Sequence, residues 1–162
     1  MNRPPTPSAA GILVLRAAEP NDSAAIARVF SPPLRLLRFL PSLHTVEEDE
    51  WFIENVILTE AAVTVVTSED GVVAFLARQG EEIRLLHTHP DSIGRGAGGL
   101  LIEHAKSCAK KPLELWCFQE NTGARRFYER HGFRPILFTD GSRNEEKEPD
   151  ILYRWERKEP IE

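Results

Sequence analysis

The stretch Pro90-Asp-Ser-Ile-Gly-Arg-Gly-Ala-Gly-Gly99 places four glycines in six consecutive positions, and the interpretation of the whole chain starts from it. It lies between a predicted strand, residues 82–89, and an amphipathic segment that predicts a helix from about Leu100. Glycines at a helix start allow successive backbone N–H groups to point into one concavity, at the positive end of the helix dipole. The stretch therefore predicts a site for phosphate or pyrophosphate, with Arg95 as an additional positive charge.

Two known phosphate-binding patterns can be compared with this stretch. Gly94, Gly96 and Gly99 match the dinucleotide fingerprint G-x-G-x-x-G, and Glu120 follows the next predicted strand. Against this match, four residues separate the first glycine from the preceding strand, and only 42 of the 162 residues follow Glu120. The P-loop is excluded because no Gly-Lys-Ser/Thr follows the glycines.

Upstream of the glycines, the hydrophobic pattern predicts strands joined by tight turns. Residues 62–67 and 72–77 flank Ser68-Glu-Asp-Gly71, in which Asp-Gly is a hairpin signal. Gln79-Gly80-Glu81 offers a second turn into the strand over residues 82–89. These three strands are expected to form an antiparallel meander, and not the parallel βαβ units of a dinucleotide-binding fold.

Before the hairpin, the pattern predicts one strand, residues 12–16, followed by helices. Asp22 or Ser23 is expected to cap a helix that runs to about Phe30 and is stopped by Pro32-Pro33. The remaining helical pieces, broken by Pro41, are those over residues 34–40 and 47–58.

Downstream of the glycines, helices and strands alternate to the end of the pattern. Leu101, Ala105 and Cys108 are expected to form the buried stripe of the first helix, while Asn121 caps the next and Gly132 follows its end. The strands expected around these helices cover residues 113–119, 133–138 and 150–155. The polar segment 139–149, which contains the charge run Glu145-Glu-Lys-Glu148, is interpreted as a solvated loop.

Length, charge and cysteine content limit the function classes. The 162 residues fit one α+β domain, expected over residues 12–157 after a flexible leader, residues 1–11. A net charge of −5 argues against a nucleic-acid binder, and no apolar run is long enough to span a membrane. Cys108 and Cys117 are expected to be buried, inert thiols in a reducing compartment, so the cytoplasm is the expected location.

Two motifs in the second half of the chain resemble those of one family. Ile93-Gly-Arg-Gly-Ala-Gly98 is similar to the acetyl-CoA motif Q/R-x-x-G-x-G/A of the GNAT (Gcn5-related) N-acetyltransferases, with Ile93 where Gln or Arg is usual. Asn121-Thr-Gly-Ala-Arg-Arg-Phe-Tyr-Glu-Arg-His-Gly-Phe133 is similar to the family's N-x-x-A-x-x-F-Y-x-x-x-G-F segment. The resemblance extends from Ile12 to Trp155, and the loop 140–150 resembles that of uncharacterised bacterial members.

The resemblance implies a GNAT-like fold that binds acetyl-CoA. Such a fold has a mixed, mostly antiparallel sheet with flanking helices, and the cofactor lies between two parallel strands that splay apart, here residues 82–89 and 113–119. Strand backbone then pairs with the pantetheine arm, and the glycine-rich amides hold the pyrophosphate. The residues implied to contact acetyl-CoA are Leu86, His87, Thr88, Gly94, Arg95, Gly96, Ala97, Gly98, Gly99, Asn121 and Arg125. For Asn121 a role as a simple N-cap stays equally open.

The resemblance also implies direct transfer of the acetyl group to a primary amine. Tyr128 matches the family's general acid, which protonates the departing thiolate, while a purely structural aromatic role stays open. Glu82 lies where histone-type members carry a general base, or it is an exposed charge at a strand start. The alternatives for the base are His87 with His89, Glu48, His44 and water. The His-x-His pair lacks a third ligand, so no metal is expected.

The acceptor is not identified by the sequence, and other functions stay open. A small-molecule or peptide amine is expected as the acceptor, with neither nucleic acid nor a membrane as a partner. The main alternative is a non-catalytic module that binds acyl-CoA, and a weaker one is a dinucleotide-binding redox module. Homodimers are frequent in the family, and the sequence does not indicate whether this chain forms one.

Overall fold

The computed structural model describes residues 12–36 and 45–158, without the side chains of residues 32–36. The predicted leader, residues 1–11, lies outside the described residues, as do residues 37–40 of a predicted helical piece and the candidate base His44. None of the helices within the described residues is both long and apolar enough to cross a membrane.

Seven strands and four main helices make up the described chain. The strands are β1 (Val14–Ala17), β2 (Ala62–Ser68), β3 (Gly71–Gln79), β4 (Glu82–Thr88), β5 (Leu113–Phe118), β6 (Arg134–Phe138) and β7 (Asp150–Trp155). The helices are α1 (Ser23–Leu36), α2 (Val46–Phe52), α3 (Ala97–Cys108) and α4 (Thr122–Arg130). Helix α2 continues through a π-helical turn (Ile53–Ile57) into a last turn (Leu58–Glu60).

All seven strands belong to one sheet in the order β1-β2-β3-β4-β5-β7-β6. Neighbouring strands are antiparallel except for β4 and β5, which are parallel and joined by the crossover through α3. This mixed, mostly antiparallel sheet with helices on its faces confirms the predicted α+β class and the predicted meander of β2, β3 and β4.

The parallel pair β4–β5 is paired only at its beginning. Glu82 is opposite Glu114 and Ile83 is opposite Leu115, and the pairing ends there. Beyond these residues β4 keeps its antiparallel partner β3 as far as Thr88, while β5 keeps β7. The two central strands therefore diverge, as the predicted splay requires, and each presents an unpaired backbone edge to the space between them.

Two hydrophobic clusters cover the two faces of the sheet. On one face, α3 and α4 pack through residues such as Leu101, Ile102 and Tyr128, and on the other α1 and α2 pack through residues such as Ile26 and Ile53. Strand β3 serves both clusters, because its successive side chains point to opposite faces. This arrangement holds the diverging strands between two rigid layers.

The prediction that Pro32-Pro33 end the first helix is wrong, because α1 runs from Ser23 to Leu36. Proline's fixed φ of about −65° is compatible with helical backbone, so the helix continues although neither proline can donate a hydrogen bond. The buried stripe predicted for α3 is also corrected. Leu101 and Ala105 are buried, but the next position one turn on is Ala109, and Cys108 at the helix end is exposed.

Helix α3 begins at Ala97, three residues before the predicted start. Glycine disfavours helix interiors, so the pattern alone places Gly98 and Gly99 in the turn. The structure places them in the first helical turn because α4 packs against them. A Cβ atom on Gly98 would lie 3.2 Å from Cζ of Phe127, closer than most real contacts.

Candidate functional site

A cleft of about 2270 Å³ opens where β4 and β5 diverge. Strand β4, the first turn of α3, β5, helices α2 and α4 and the β6–β7 loop all line it. Pockets for single drug-sized ligands have volumes of roughly 300–1,000 Å³. The cleft therefore has room for two substrates side by side.

The glycine-rich turn presents backbone amides to this cleft. Gly94 and Gly96 adopt positive φ values of 86° and 93°, and Gly96 is the N-cap of α3 without any side chain to cap it. The first helical hydrogen bond comes from Leu100, which donates to the Gly96 carbonyl at 3.1 Å. The N–H groups of Ala97, Gly98 and Gly99, here called the amide cradle, precede that bond, and all three residues line the cleft. The cradle is suited to an anion.

Two arginines predicted to contact phosphate do not line the cleft. The Arg95 backbone amide donates to the Ser92 carbonyl at 3.3 Å, in the short 3₁₀ turn at residues 90–92, and its side chain is exposed. Arg125 donates to the Tyr153 hydroxyl and to the Gln119 carbonyl, both at 3.3 Å.

Leu86, His87 and Thr88 lie on the diverging part of β4 and line the cleft, as predicted for a strand that pairs with an extended ligand. The His87 ring stacks on Phe75 with a centroid distance of 5.7 Å and meets Phe30 edge-on at 5.1 Å. Burial lowers the pKa of His87 to about 4, so the ring is neutral at pH 7.

The proposed proton relay between His87 and His89 is not assembled. His89 accepts a hydrogen bond from the Asp91 amide at its Nδ1 atom, 3.2 Å away, and it does not line the cleft. A neutral ring whose pKa is about 4 is also a weaker base than an ordinary imidazole. His87 therefore packs against aromatic side chains, and His89 forms part of the turn that follows β4.

Tyr128 lies on α4 with its ring packed against Phe127, Phe133 and Tyr153, and it lines the cleft. Only 9% of the residue is exposed, and burial raises the pKa of its hydroxyl well above the ordinary value. The hydroxyl consequently keeps its proton at neutral pH. It makes no hydrogen bond with the residues that the structure describes, which leaves its proton available to a ligand in the cleft.

Glu82, the predicted base, lies outside the cleft. It is exposed at the start of β4, opposite Glu114, where β4 and β5 are still paired. The cleft begins only beyond this closed end of the parallel pair, with Ile83 as the first lining residue of β4. The structure thus agrees with the alternative interpretation of Glu82 as an exposed charge at a strand start.

Asn121 is the N-cap of α4, one of the two roles that its sequence position left open. Its side-chain oxygen accepts a hydrogen bond from the Ala124 amide at 3.2 Å. The residue also lines the cleft. The capping bond occupies the oxygen and leaves the amide nitrogen as a donor.

The loop between β6 and β7 corrects the prediction of a merely solvated segment. Asn144 donates to the Glu148 carbonyl at 2.7 Å and accepts from the Glu148 amide at 3.2 Å, which closes the loop on itself. Gln119 of the β5 end donates to the Thr139 and Asp150 carbonyls at 2.9 and 3.2 Å. The loop is therefore organised, and it lines the cleft.

Two segments of the cleft lining are rich in carboxylates, which are here together called the acidic lining. They come from the first turn of α2 and from the β6–β7 loop, and they are Glu47, Glu48, Asp49, Asp140, Glu145 and Glu146. Asp49 is buried and accepts a hydrogen bond from the Ser31 hydroxyl at 2.7 Å, while Glu48 accepts from the Thr45 amide at the helix cap. Acids in a first helical turn are ordinary features of a helix start, so no local signal distinguishes these as cleft residues.

The two cysteines differ in their surroundings. Cys108 is exposed, whereas Cys117 is buried on β5 beside the cleft, where burial raises the pKa of its thiol to about 12. A thiol that stays protonated is a poor nucleophile. This environment disfavours an acyl-cysteine route through Cys117. Within residues 12–36 and 45–158, no three His, Cys, Asp or Glu side chains are grouped as a metal site.

A protein-family model described as the acetyltransferase (GNAT) domain matches residues 57–135 of the chain. The matched range runs from β2 to the beginning of β6 and includes the amide cradle and Tyr128. Among curated proteins, the chain is 35% identical over 97 residues to the peptidyl-lysine N-acetyltransferase YjaB of Salmonella typhimurium. That match covers 59% of this chain and 65% of YjaB. The matched stretch spans 26% of the length of another curated relative, the uncharacterized N-acetyltransferase MJ1207 of Methanocaldococcus jannaschii, and 65% of the length of YjaB.

Solved structures share the fold over most of the chain. The apo-form of YjaB from Escherichia coli has a TM-score of 0.73 at 23% identity, covering 89% of this chain and 97% of that one. The structure of yncA from Salmonella typhimurium, solved with its cofactor acetyl-CoA, has a TM-score of 0.68 at 16% identity, covering 93% and 96%. At these identities the likeness concerns the fold.

Proposed function

The chain belongs to the GNAT family of acetyltransferases, and on this premise we propose that it transfers an acetyl group from acetyl-CoA directly to a primary amine. One observation carries the proposal. The unpaired edge of β4, the amide cradle and the Tyr128 hydroxyl all border a single cleft that has room for two substrates. We further propose that residues 12–157 act as one domain in the cytoplasm, since both cysteines are free thiols.

The residues of the cleft fit acetyl-CoA. The backbone of Leu86, His87 and Thr88 would pair with the pantetheine arm as an added strand, because β4 has no partner on that side. The amide cradle would hold the pyrophosphate. Asn121 would donate from its amide nitrogen to the arm. The acetyl-CoA in the structure of yncA, which shares this fold, supports the assignment.

In the transfer, acetyl-CoA supplies the thioester carbon that the amine nitrogen attacks. A C–N bond forms, the C–S bond breaks, the amine loses a proton and the sulfur gains one. The Tyr128 hydroxyl would give its proton to the departing sulfur, since burial holds its pKa high and keeps it protonated. An amide of β4 near His87 would polarise the carbonyl. Glu82 lies outside the cleft, and the carboxylate of Glu48 accepts from the Thr45 amide in the capping box of α2, so we assign the amine's proton to water in the cleft.

The acidic lining supports a cationic acceptor, either a small amine or a peptide lysine. Among the described residues, those that line the cleft include seven carboxylates, counting Asp150, and three arginines, Arg84, Arg130 and Arg143. Arg84 is paired with Glu60 at 3.0 Å, which offsets its charge. A cleft with this balance raises the local concentration of cations. The activity named for YjaB, on peptidyl-lysine, is of the same chemical class.

The function is tested by incubating the full chain with acetyl-CoA and a panel of amines while measuring thiol release. The panel contains lysine peptides with basic or acidic flanking residues, free polyamines and amino acids. We expect release with cationic acceptors and a higher rate for basic than for acidic peptides. Binding of acetyl-CoA without release from any amine would favour the non-catalytic acyl-CoA-binding alternative.

Removing a carboxylate from the acidic lining is expected to weaken acceptor binding alone. Glu47→Gln and Glu146→Gln should each raise the KM of a lysine peptide by about two- to fivefold, with a smaller effect at high salt. The KM of acetyl-CoA should not change, because neither residue belongs to β4, α3 or α4, to which we assign acetyl-CoA binding. The matched control is Glu69→Gln on the exposed β2–β3 turn. Equal acceptor KM values for all these variants would contradict a role of the acidic lining.

The two roles of Asn121 are separable by substitution. Asn121→Asp keeps a capping oxygen but lacks the amide donor, so it should fold as stably as the wild type while binding acetyl-CoA more weakly. Asn121→Ala loses the cap as well, and its free energy of unfolding should fall by about 1 kcal/mol. Thermal unfolding and calorimetric binding measure the two effects. Unchanged acetyl-CoA affinity in both variants would leave Asn121 as a cap only.

A further inference from the structure

His131, at the C-terminal end of α4, has a position in the cleft that its place in the helical pattern does not explain. Its ring lines the cleft and packs on Phe127 with a centroid distance of 4.6 Å. Its Nδ1 atom lies 3.1 Å from Oε2 of Glu103 on the facing helix α3. The same carboxylate oxygen accepts a hydrogen bond from Lys106, also at 3.1 Å.

The other edge of the ring lies beside the amide cradle. A Cβ atom on Gly99 would be 3.5 Å from Cε1 and 3.7 Å from Nε2 of His131. Gly99 and Glu103 are one turn apart on the same face of α3. This face therefore contacts both nitrogen edges of the imidazole, Glu103 at Nδ1 and Gly99 near Nε2. Glycine at position 99 permits this approach, which places Nε2 against the first turn of α3.

The hydrogen bond to Glu103 determines which ring nitrogen is available. Hydrogen bonds from Lys106 and then from His131 lower the pKa of Glu103, so its carboxylate is ionised and can only accept. Nδ1 therefore donates to Glu103. Nε2 makes no hydrogen bond with the residues that the structure describes, and it can donate to an anion when the ring carries its second proton.

We propose that His131 is a phosphate-binding residue of the acetyl-CoA site, oriented by Glu103 so that Nε2 completes the amide cradle around the diphosphate of the cofactor. This inference rests on the proposed function of the cleft. It supplies a side-chain donor at the phosphate position, whereas Arg125 is bonded to Tyr153 and Gln119 and neither Arg95 nor Arg125 lines the cleft. Glu103 is a positioning residue in this arrangement.

Titration calorimetry on the full chain tests the proposal with three ligands. They are acetyl-CoA, its dephospho form without the 3′-phosphate, and S-acetylpantetheine, which has no phosphate. His131→Asn keeps a donor toward Glu103 but lacks the Nε2 position, and should raise the Kd of acetyl-CoA about tenfold or more. The same loss is expected with the dephospho form, and none with S-acetylpantetheine. His131→Gln, whose longer amide reaches the Nε2 position, should recover part of the affinity.

The role of Glu103 as a positioning residue has its own readout. The charged groups in contact with the ring are Glu103 and, through it, Lys106. Glu103→Gln removes the carboxylate that orients Nδ1, so it should weaken the binding of acetyl-CoA and of its dephospho form. It should leave the binding of S-acetylpantetheine unchanged, which a general loss of fold would not do.

The outcomes separate this inference from the proposed function. If the wild type does not bind acetyl-CoA, the function itself is wrong. If the wild type binds and His131→Asn binds equally well, only the assignment of His131 is wrong. If His131→Asn loses as much affinity for S-acetylpantetheine as for acetyl-CoA, His131 acts on the fold of the site and the assignment is wrong. If His131→Asn binds the dephospho form as tightly as the wild type does, the assignment to the diphosphate is wrong.

Discussion

Tyr128→Phe is expected to lower kcat by about 10²- to 10⁴-fold, the usual contribution of a positioned general acid. Acetyl-CoA affinity should be largely kept, because the substitution removes one hydroxyl and leaves the ring contacts with Phe127 and Phe133 in place. Steady-state thiol release gives kcat, and calorimetry gives the Kd. Since burial raises the pKa of Tyr128, ionisation of this tyrosine should not reduce kcat below about pH 10.

Tyr153→Phe is the matched control for this variant. Tyr153 is also a buried tyrosine, but its hydroxyl donates to Glu129 at 2.7 Å and accepts from Arg125, and it does not line the cleft. The loss of these bonds should lower the free energy of unfolding by about 1.5–3 kcal/mol and leave kcat unchanged. If Tyr128→Phe retained full kcat at every pH, Tyr128 would not be the acid.

Gly141→Ala is expected to disturb the β6–β7 loop and, with it, the carboxylates that this loop contributes to the cleft. Gly141 is buried with a φ of 82°, and a Cβ atom there would overlap the backbone of Glu148 across the loop. The left-handed conformation alone costs about 1–2 kcal/mol for a residue with a Cβ atom, and the overlap adds to it. We expect a clear fall of the thermal midpoint and a raised acceptor KM, with the acetyl-CoA Kd unchanged.

Gly71→Ala is the control that measures the cost of the left-handed conformation without the steric overlap. Gly71 lies on the β2–β3 turn with a φ of 95°, but a Cβ atom there would meet no atom within 4 Å. This control should lose only the conformational cost and keep both kinetic constants. Equal midpoints for the two variants, or an unchanged acceptor KM in Gly141→Ala, would contradict the role assigned to the loop.

The elements with strong local signals were predictable from the sequence. The Asp70-Gly71 signal and the alternating pattern on both sides specify the hairpin, because a tight turn and a period of two favour one pairing. Asn121 and Gly132 mark the two ends of α4, and the structure shows the capping bond and a positive φ at these residues. The glycines also mark the connection between β4 and α3, although Gly98 and Gly99 belong to the helix.

What could not be predicted depends on contacts between distant elements. Whether Glu82 reaches the cleft depends on the residue at which β4 and β5 separate, which no local pattern records. The Glu103–His131 contact joins residues 28 positions apart on two helices. The first turn of α3 contains Gly98 and Gly99 only because α4 packs on them, which overrides their low helix propensity.

The central claim is that the cleft binds acetyl-CoA, and thermal unfolding of the full chain with saturating acetyl-CoA, CoA or NAD tests it most directly. A ligand at about 100 times its Kd stabilises the folded state by about 2.7 kcal/mol, which raises the unfolding midpoint by several degrees. The account predicts such a rise with acetyl-CoA and none with NAD. A rise with NAD and none with acetyl-CoA would contradict it.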